Sequence, residues 1–418
     1  MRSSATPHLL LLILVLAGLT LSGARPTQAA ITPKGQQGCA PGTVVGGENK
    51  VKNGDFSQGS ALFESQLPDR GTGTGGTGIY PDDGGGGGFS IQTGPKTYFG
   101  GQIVGRAFPG DPQREVPAVQ TYFYSNPNRD KNGDLLYGPG TPGRALLWRQ
   151  IVTGLSQNTT YNFFAYFDNL LVPDGNGVDP KIELRVDGIV AGPAISVDKT
   201  PDQWIPIQYS FATGAGQTTA TLEIYDLADS IIGDDFGMTQ ISLKQCVTGV
   251  GSAKYAYPVN RNSDGSYRVE YLFTIRNLGV DPLPLTNLQV SDNLASTFAA
   301  ASSFSVVSLT SPTLAVNPAF NGKTDINLLK GTDSLAAGQQ ATINLRLRVV
   351  AGTGSGGKGP FLNSALTTAK AGPIEVRDGS APGTVPDPNG NGDPKEGSED
   401  KPTPVDFEAK IFLPLIRK

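Results

Sequence analysis

The chain has 418 residues, of which 55 are glycine and 32 are proline, and only 17% of them carry a charge. This composition favours many short strands and turns over long helices, so we predict an all-β protein. The formal net charge is -4 and no basic stripe is visible in the sequence, so we predict no nucleic-acid partner. The length leaves room for two domains, each with a core of its own.

Residues 1–29 have the layout of a secretory signal peptide. Arg2 precedes an apolar run from Leu9 to Leu21, and small residues follow up to Ala29 and Ala30. We predict cleavage after one of these two alanines and a secreted, extracellular protein that is either free or associated with the cell surface. The apolar run is too short to span a bilayer, and no later segment approaches the roughly 20 apolar residues that a spanning helix needs.

The single histidine, His8, lies inside the signal peptide, so the mature chain contains no histidine. This excludes serine or cysteine nucleophiles activated by imidazole and zinc sites built on histidine. Glycoside hydrolysis by two carboxylates stays open, but acids such as Glu183 and Glu223 alternate with apolar residues as solvent-facing strand positions do. We therefore predict that the protein is not an enzyme, and a carboxylate-based glycoside hydrolase is the less favoured alternative.

Two cysteines, Cys39 and Cys246, bracket a stretch that is rich in glycine and aromatic residues. An exported chain meets an oxidising environment, where a lone cysteine pair is expected to form a structural bridge and not a redox or metal site. The pair therefore predicts one β domain that is stapled from end to end.

Several segments between the cysteines have the composition and alternation of strands. They cover residues 146–152, 161–167, 181–186, 204–211, 219–225 and 238–243. We expect the first two segments to be strands joined by a polar turn. In the second, alternation predicts a core face that carries Tyr161, Phe163, Ala165 and Phe167. The opposite face would carry Asn162, Phe164, Tyr166 and Asp168.

Three motifs lie in this stretch: Asn53-Gly54-Asp55-Phe56 near its start, Leu147-Trp148-Arg149-Gln150 in the middle and Asp235-Phe236-Gly237 near its end. Together they resemble the galactose-binding-like jelly roll of many bacterial carbohydrate-binding modules. The resemblance covers residues 39–247 and implies a jelly-roll β-sandwich. It also implies that the first and last strands lie side by side, which would let the two cysteines meet.

The same family often holds a structural calcium ion at that edge of the sandwich. The resemblance implies Asp55, Asp234 and Asp235 as the ligands here, because calcium accepts carboxylate and backbone oxygens at flexible geometry. The chain departs from the family pattern by having Ser57 where a glutamate is common and Thr239-Gln240 where a pair of aspartates is common. The alternative is that these acids cap turns.

Glycan binding needs aromatic faces that stack on sugar rings, and amide, carboxylate or guanidinium groups that bond the hydroxyls. A candidate row of such side chains consists of Trp148, Gln150, Phe164, Tyr166 and Asp168. The row would lie across adjacent strands if the first two side chains point to the same face as the others. The alternative is that these bulky aromatics pack in the core.

Residues 251–408 predict a second β domain. Apolar and polar side chains alternate over residues 267–276 and 342–349, as in half-buried strands. With further strands predicted over residues 288–290, 304–309 and 362–368, they would supply a sandwich of immunoglobulin type. The sequence provides no cysteine bridge for this domain.

This second segment also carries recognisable motifs, namely Thr274-Ile275-Arg276-Asn277-Leu278-Gly279, Val290-Ser291-Asp292-Asn293-Leu294 and Asn363-Ser364-Ala365. They resemble a conserved bacterial surface-protein repeat whose function is formally unassigned. The match leaves residues 409–418 as a C-terminal tail. Such repeats usually serve as stalks or adhesive spacers in bacterial envelope proteins, which implies the same role for this domain.

Taken together, the residues and the resemblances predict a secreted, non-catalytic binding or adhesion protein of the bacterial cell surface. Its first domain would recognise a polysaccharide or a cell-surface glycoprotein, and its second would act as a spacer. The alternative is a structural envelope component that binds no soluble sugar.

Overall fold

A computed structural model describes residues 38–74, 88–93, 97–98, 102–103, 121–126, 130–132, 136, 144–169, 178–198, 204–228, 235–279, 283–395 and 399–407. The predicted signal peptide, the predicted C-terminal tail and Asp234 lie outside these residues. Among the described residues, no helix is long and apolar enough to cross a membrane.

The first half of the chain is built from strands. They are β1 Thr43–Gly46, β2 Asp69–Thr74, β3 Gly88–Thr93, β4 Thr97–Tyr98, β5 Gln102–Ile103, β6 Thr121–Asn126, β7 Ala145–Thr153, β8 Thr160–Asn169, β9 Lys181–Val186, β10 Ile189–Val190, β11 Ile195–Ser196, β12 Ile205–Ala212, β13 Thr219–Asp226 and β14 Phe236–Thr248.

The second half continues in the same way, with one helical turn. Its elements are β15 Val250–Ala256, β16 Asn260–Arg261, β17 Tyr267–Asn277, β18 Leu285–Asp292, α1 Leu294–Thr297, β19 Ser303–Thr310, β20 Gln340–Val350, β21 Phe361–Asn363, β22 Ala365–Ala371, β23 Ile374–Gly379, β24 Ala381–Pro382 and β25 Thr403–Val405. The prediction of an all-β protein is confirmed.

Two sheets face each other in the first sandwich. The larger sheet has the order β12-β8-β14-β6-β3-β2, with β1 added on β14, and the smaller has the order β10-β9-β13-β7, with β11 added on β9. Alternation along β8 sends Tyr161, Phe163, Ala165 and Phe167 into the core between the sheets, as the sequence predicts. Trp148 of β7 meets Phe163 from the opposite side, with ring centroids 6.4 Å apart.

The second sandwich has its own core between a sheet in the order β19-β20-β17-β15-β24, with β16 on β17, and a smaller sheet in the order β18-β22-β23. Alternate residues of β17 and β20 are buried, which confirms the strands predicted over residues 267–276 and 342–349. The strand predicted over residues 362–368 is interrupted at Ser364. Its two parts, β21 and β22, pair with different partners, β25 on one side and β18 and β23 on the other.

The long strand β14 connects the sandwiches. Only Gly249 separates it from β15, and Gly249 donates its backbone N–H to the carbonyl of Gly42 (3.0 Å) while its own carbonyl accepts from Leu278 N (3.0 Å). The backbone N–H of Gly42 in turn donates to the carbonyl of Gly392 (3.2 Å). Val44 of β1 packs its side chain into the core of the second sandwich. The junction is therefore a hydrogen-bonded and packed structure.

The disulfide lies beside this junction. Cys39 and Cys246 are bonded to each other, which confirms the predicted bridge. They meet because β1 runs antiparallel to the end of β14, where Val45 is the Cα partner of Cys246. The bridge therefore fastens β1, which reaches into the second core, to the last strand of the first sandwich.

Candidate functional site

The predicted glycan-binding row does not form, because its residues lie in different sheets. Strand β7, which carries Trp148, belongs to the smaller sheet, and β8 belongs to the larger one. The chain crosses from one sheet to the other between Gly154 and Thr159 and does not form a hairpin. Trp148 is 0% exposed and packs in the core, so it cannot stack on a sugar. The core-packing alternative is correct for this tryptophan.

Two further members of the row are also buried. The side chain of Gln150 is a structural clamp: its Nε2 donates to the carbonyls of Lys52 (2.9 Å) and Leu62 (2.6 Å), and its Oε1 accepts from Lys52 N (2.8 Å). It ties the segment around residues 52–62 to β7. Asp168 is 1% exposed near the end of β8. Gln150 lies on the other sheet from the remaining members of the row, Phe164 and Tyr166, whereas Asp168 follows Tyr166 by two residues on the same strand.

Phe164 and Tyr166 lie on the outer face of the larger sheet, as alternation along β8 predicts. Both side chains are half-buried, and their rings meet edge to face with centroids 4.8 Å apart and an interplanar angle of 88°. They line a depression of about 440 Å³, called the Tyr166 groove here. Its lining consists of Asn49, Val51, Asn53, Gly54, Asp55, Phe164, Tyr166, Gln240, Ile241, Ser242 and Lys244.

A β-bulge in β14 shapes this groove. Thr239 pairs with Tyr166 and Ser242 pairs with Phe164, so two residues of β14, Gln240 and Ile241, have no partner on β8. Gln240 has a φ of 54°, which is uncommon for a residue other than glycine. Bulges re-aim side chains locally. Here the bulge buries Ile241 and leaves Gln240 exposed beside the two aromatic rings.

The opposite wall of the groove is the Asn53-Gly54-Asp55-Phe56 motif. The carbonyl of Gly54 accepts the backbone N–H of Ile241 (2.8 Å), and a Cβ at Gly54 would lie 2.0 Å from the Ile241 carbonyl oxygen. Only glycine fits this approach. Asn53 holds the turn through Nδ2, which donates to the carbonyls of Gly59 (2.9 Å) and Ala61 (2.8 Å), and Phe56 is buried in the core. The motif thus builds a rigid wall.

Three polar side chains of β14 face this wall without internal partners. Within the described part of the chain, Gln240, Ser242 and Lys244 make no side-chain hydrogen bond or ion pair with the protein. They alternate with the buried Ile241 and Leu243, so all three point to the outer face of the sheet. An amide, a hydroxyl and an ammonium group therefore stand next to a pair of half-buried aromatic rings.

The predicted calcium ligands are not brought together by the described residues. Gly54, which precedes Asp55, accepts the backbone N–H of Ile241, so Asp55 lies near Ile241. Asp235, in contrast, directly precedes Phe236, the first residue of β14. At about 3.3 Å per residue, these positions on the strand are on the order of 15–20 Å apart. Asp234 lies outside the described residues. Within those residues, no group of three or more His, Cys, Asp or Glu side chains is placed to hold a metal ion.

A larger depression of about 860 Å³ lies on the outer face of the smaller sheet, and three of its charged side chains, Arg149, Glu64 and Glu223, interact with each other. Arg149 donates to Glu223 Oε1 from Nη2 (2.6 Å) and Nε (2.9 Å), and its Nη1 lies 3.8 Å from Glu64 Oε2. The hydrogen bond with Glu223 raises the pKa of Arg149. Glu223 is nearly buried, which corrects the expectation of an ordinary solvent-facing position. These contacts hold neighbouring strands of the sheet together.

No family model matches this chain. The curated proteins contain no significant sequence match either. Some solved structures align with parts of it. The C-terminal domain of EclA, a sugar-binding protein, aligns at 20% identity with a TM-score of 0.24, over 32% of this chain and 86% of that one. A cyclase from Fischerella sp. TAU aligns at 12% identity with a TM-score of 0.27, over 49% of this chain and 97% of that one.

A β-glucuronidase of Bacteroides uniformis aligns at 12% identity with a TM-score of 0.23, over 56% of this chain and 26% of that one. The aligned part is thus about a quarter of the glucuronidase chain. Identities and TM-scores of this size carry no argument about function. The function of this chain has to be argued from its own groove.

The polar side of the groove was not among the candidates from the sequence. Gln240, Ser242 and Lys244 alternate with Ile241 and Leu243, so their outward orientation follows from the strand period. The period does not show which strand lies next to β14 in the sheet. Only the pairing of β14 with β8 places these side chains next to Phe164 and Tyr166.

Proposed function

We propose that the protein is a secreted, non-catalytic glycan-binding protein of the bacterial cell surface and that the Tyr166 groove receives the glycan. The observation that carries this proposal is the half-buried Phe164–Tyr166 pair beside three unengaged polar side chains, Gln240, Ser242 and Lys244. A polysaccharide or the glycan of a surface glycoprotein is the ligand class that suits this arrangement.

The chemistry of the groove matches the two sides of a sugar. The apolar C–H face of a pyranose ring packs on aromatic side chains, and its hydroxyls need donors and acceptors at the rim. The amide of Gln240 and the hydroxyl of Ser242 can each donate and accept hydrogen bonds, whereas the ammonium of Lys244 can only donate them. The volume of about 440 Å³ lies within the range of about 300–1,000 Å³ that is usual for small-ligand pockets.

The backbone around the groove is held in place before any ligand arrives. Asn53, Phe56 and Gln240 all have positive φ values, 53°, 56° and 54°. Such conformations persist only where the surrounding structure enforces them, and they cluster at binding and catalytic sites. A preformed wall reduces the entropy that is lost when a ligand is ordered.

The acids of the groove favour binding over hydrolysis. Glycoside hydrolysis needs two carboxylates that flank the scissile bond. Among the described residues that line the Tyr166 groove, Asp55 is the only carboxylate, and its Oδ1 accepts from the hydroxyl of Ser57 (2.9 Å). In the larger depression, Glu223 Oε1 is held by two hydrogen bonds from Arg149.

The test is a binding screen of the full secreted chain against a panel of polysaccharides and glycoprotein glycans. Tyr166→Ala is expected to weaken retention about tenfold, the effect of removing one stacking ring. Tyr225→Ala is the matched control, since Tyr225 is a half-buried tyrosine on the other sheet, where Arg144 lies 4.3 Å from its ring centroid. The control should bind as the wild type does.

Each alternative function gives its own result in the same screen. Wild-type affinity in the Tyr166→Ala variant would remove the groove as the binding site. A panel on which the wild type binds nothing, together with tight retention on washed cells, would favour a structural envelope component. Release of reducing sugar would show a hydrolase.

A further inference from the structure

The core of the second sandwich contains a buried amine. Lys254 lies on β15, and its side chain and that of Asp292 at the end of β18 are both 0% exposed. The Nζ atom lies 2.6 Å from Asp292 Oδ2. It also lies 4.4 Å from the ring centroid of Tyr271 and 5.0 Å from that of Phe273, so aromatic faces surround the pair.

A buried amide meets the same carboxylate. Asn363, the last residue of β21, is fully buried, and its Nδ2 donates to Asp292 Oδ2 (3.2 Å). The other end of the amide, Oδ1, accepts a hydrogen bond from Thr297 Oγ1 (2.9 Å). An amine and a carboxamide therefore converge on one carboxylate oxygen in a site that is closed to water.

This environment favours the neutral form of the amine. Burial lowers the pKa of Lys254 to about 8, although the charge of Asp292 and its hydrogen bond act in the opposite direction. At pH 7 about one lysine in ten is then a neutral amine, and neutral amines are nucleophiles. Asp292 Oδ1 is buried and has no hydrogen-bond partner among the described residues, so the carboxylate has room to accept a proton.

We propose that Lys254 and Asn363 become joined by an intramolecular amide bond, with Asp292 as the proton-transfer group. In this step Nζ attacks Cγ of Asn363, the Nζ–Cγ bond forms, and the Cγ–Nδ2 bond breaks. A proton passes from Nζ to Asp292 and then to Nδ2, which leaves as ammonia. The reaction requires no oxidant or other co-reactant.

The surrounding groups fit the needs of this step. The oxygen that becomes negative in the tetrahedral intermediate is Asn363 Oδ1, to which Thr297 Oγ1 already donates. The acyl group that is attacked is that of Asn363, because Asp292 lies as the hydrogen-bond acceptor for both nitrogens.

The bond would have a mechanical consequence for the fold. It would join β15, the first strand of the second sandwich, to β21, which precedes β22–β25 in the chain. Strand β15 follows directly on β14, which the Cys39–Cys246 bridge fastens to β1. A covalent connection would therefore continue from the first sandwich through the second, as suits a spacer that transmits load. The inference does not depend on glycan binding.

The mass of the full chain tests the proposal. The secreted protein is reduced and denatured before its mass is measured. We expect this mass to be about 17 Da, the mass of one ammonia, below the mass calculated from the sequence of the mature chain. Proteolysis should then give a branched peptide that joins the segments around Lys254 and Asn363. A mass equal to that of the sequence would overturn the proposal, and so would a loss of about 18 Da that maps to Lys254 and Asp292, since water would then have left.

Variants identify the groups that take part. Lys254→Met and Asp292→Asn are each expected to restore the full sequence mass, because one lacks the nucleophile and the other the proton acceptor. Lys323→Met is the matched control, since Lys323 also lies over an aromatic ring, Phe304 at 4.6 Å, and should retain the loss of ammonia. Retention of the loss in the Lys254→Met variant would overturn the assignment. The wild-type mass decides the question even where a variant does not fold.

Discussion

The Cα atoms of Cys39 and Cys246 lie 5.4 Å apart, although 207 residues separate them along the chain. The distance is short because β1 pairs with the end of β14 and not with a strand near it in sequence. Since Val44 of the same β1 packs into the second core, the bridge stabilises the junction as well as the first sandwich.

Removal of the bridge should therefore lower the stability of the whole described unit. On the chain-entropy model, a loop of this length contributes about 5 kcal/mol, an upper value for the double variant Cys39→Ser with Cys246→Ser. The measurement is thermal or denaturant unfolding of wild type and variant, each with and without reductant. Reductant should lower the melting temperature of the wild type only. An unchanged wild-type curve in reductant would contradict the expected role.

Trp148 should matter for stability and not for glycan binding. Because its side chain is completely buried against the opposite sheet, Trp148→Ala is expected to lower the free energy of unfolding by about 3–5 kcal/mol. Trp148→Phe should lower it by less and leave the Tyr166 groove intact. Denaturant unfolding and the glycan screen measure the two effects separately. A folded Trp148→Phe variant that binds tenfold more weakly would place the tryptophan in the binding site after all.

The free energy of unfolding should fall as the pH rises, because the folded protein holds a proton on Asp378. Burial, and secondly the charge of Asp400, raise the pKa of Asp378 from 3.8 to about 9. The folded state therefore holds a proton that the unfolded state has lost, and the stability linked to that proton declines between pH 4 and about pH 9. The carboxyl accepts the backbone N–H of Ser252 (2.6 Å), an acceptor role that Asp378→Asn preserves.

The comparison is the melting temperature of wild type and Asp378→Asn from pH 5 to pH 9. Asp400, whose pKa is also raised by burial, and Lys395, whose pKa is lowered by burial, are present in both proteins, so the difference between the curves reports on the charge of Asp378 and its interaction with these two groups. The wild type should lose stability relative to the variant as the pH increases. Parallel curves would show that Asp378 is not protonated in the folded state.

Gly42 should be required at the junction for two reasons. Its φ is 83°, and a Cβ there would lie 2.2 Å from the carbonyl oxygen of Leu278. Gly390 is the matched control, because its φ is 72° but no atom lies within 4 Å of an added Cβ. Gly390→Ala should cost about 1–2 kcal/mol from backbone strain alone. Gly42→Ala should cost about 1–3 kcal/mol more, from the clash.

Denaturant unfolding of the two glycine variants measures this difference. Limited proteolysis adds a second readout, since a weakened junction should expose the chain around Gly249 to cleavage. Equal losses of stability in the two variants would mean that the close approach of Gly42 to Leu278 is not important.

Local patterns in the sequence were sufficient for the strands and for much of the core. Residues 181–186 form β9 with the predicted ends, and Tyr161, Phe163, Ala165 and Phe167 line the core because the strand period is two wherever a strand forms. The bridge could also be predicted, since the chain has only two cysteines and the sequence predicts export to an oxidising environment. These conclusions depend on residue type and on spacing within one segment.

The site could be predicted only in part. Phe164 and Tyr166 were found because alternation sends them away from the core face of their own strand. Trp148 was misplaced, because two strands that follow each other in sequence were assumed to be neighbours in one sheet, and the chain instead crosses between sheets. Gln240 was missed, because no local pattern shows that β14 pairs with β8 and so brings this side chain next to Phe164 and Tyr166.

By itself, the sequence determined that the chain folds into strands, which side of most strands is buried, and that the two cysteines bridge. The tertiary structure decided which strands are neighbours, and with that the contents of the Tyr166 groove and the meeting of Lys254, Asp292 and Asn363. The physical reason is that side-chain alternation acts within one strand, whereas sheet pairing is selected by packing and hydrogen bonds between segments far apart in the chain.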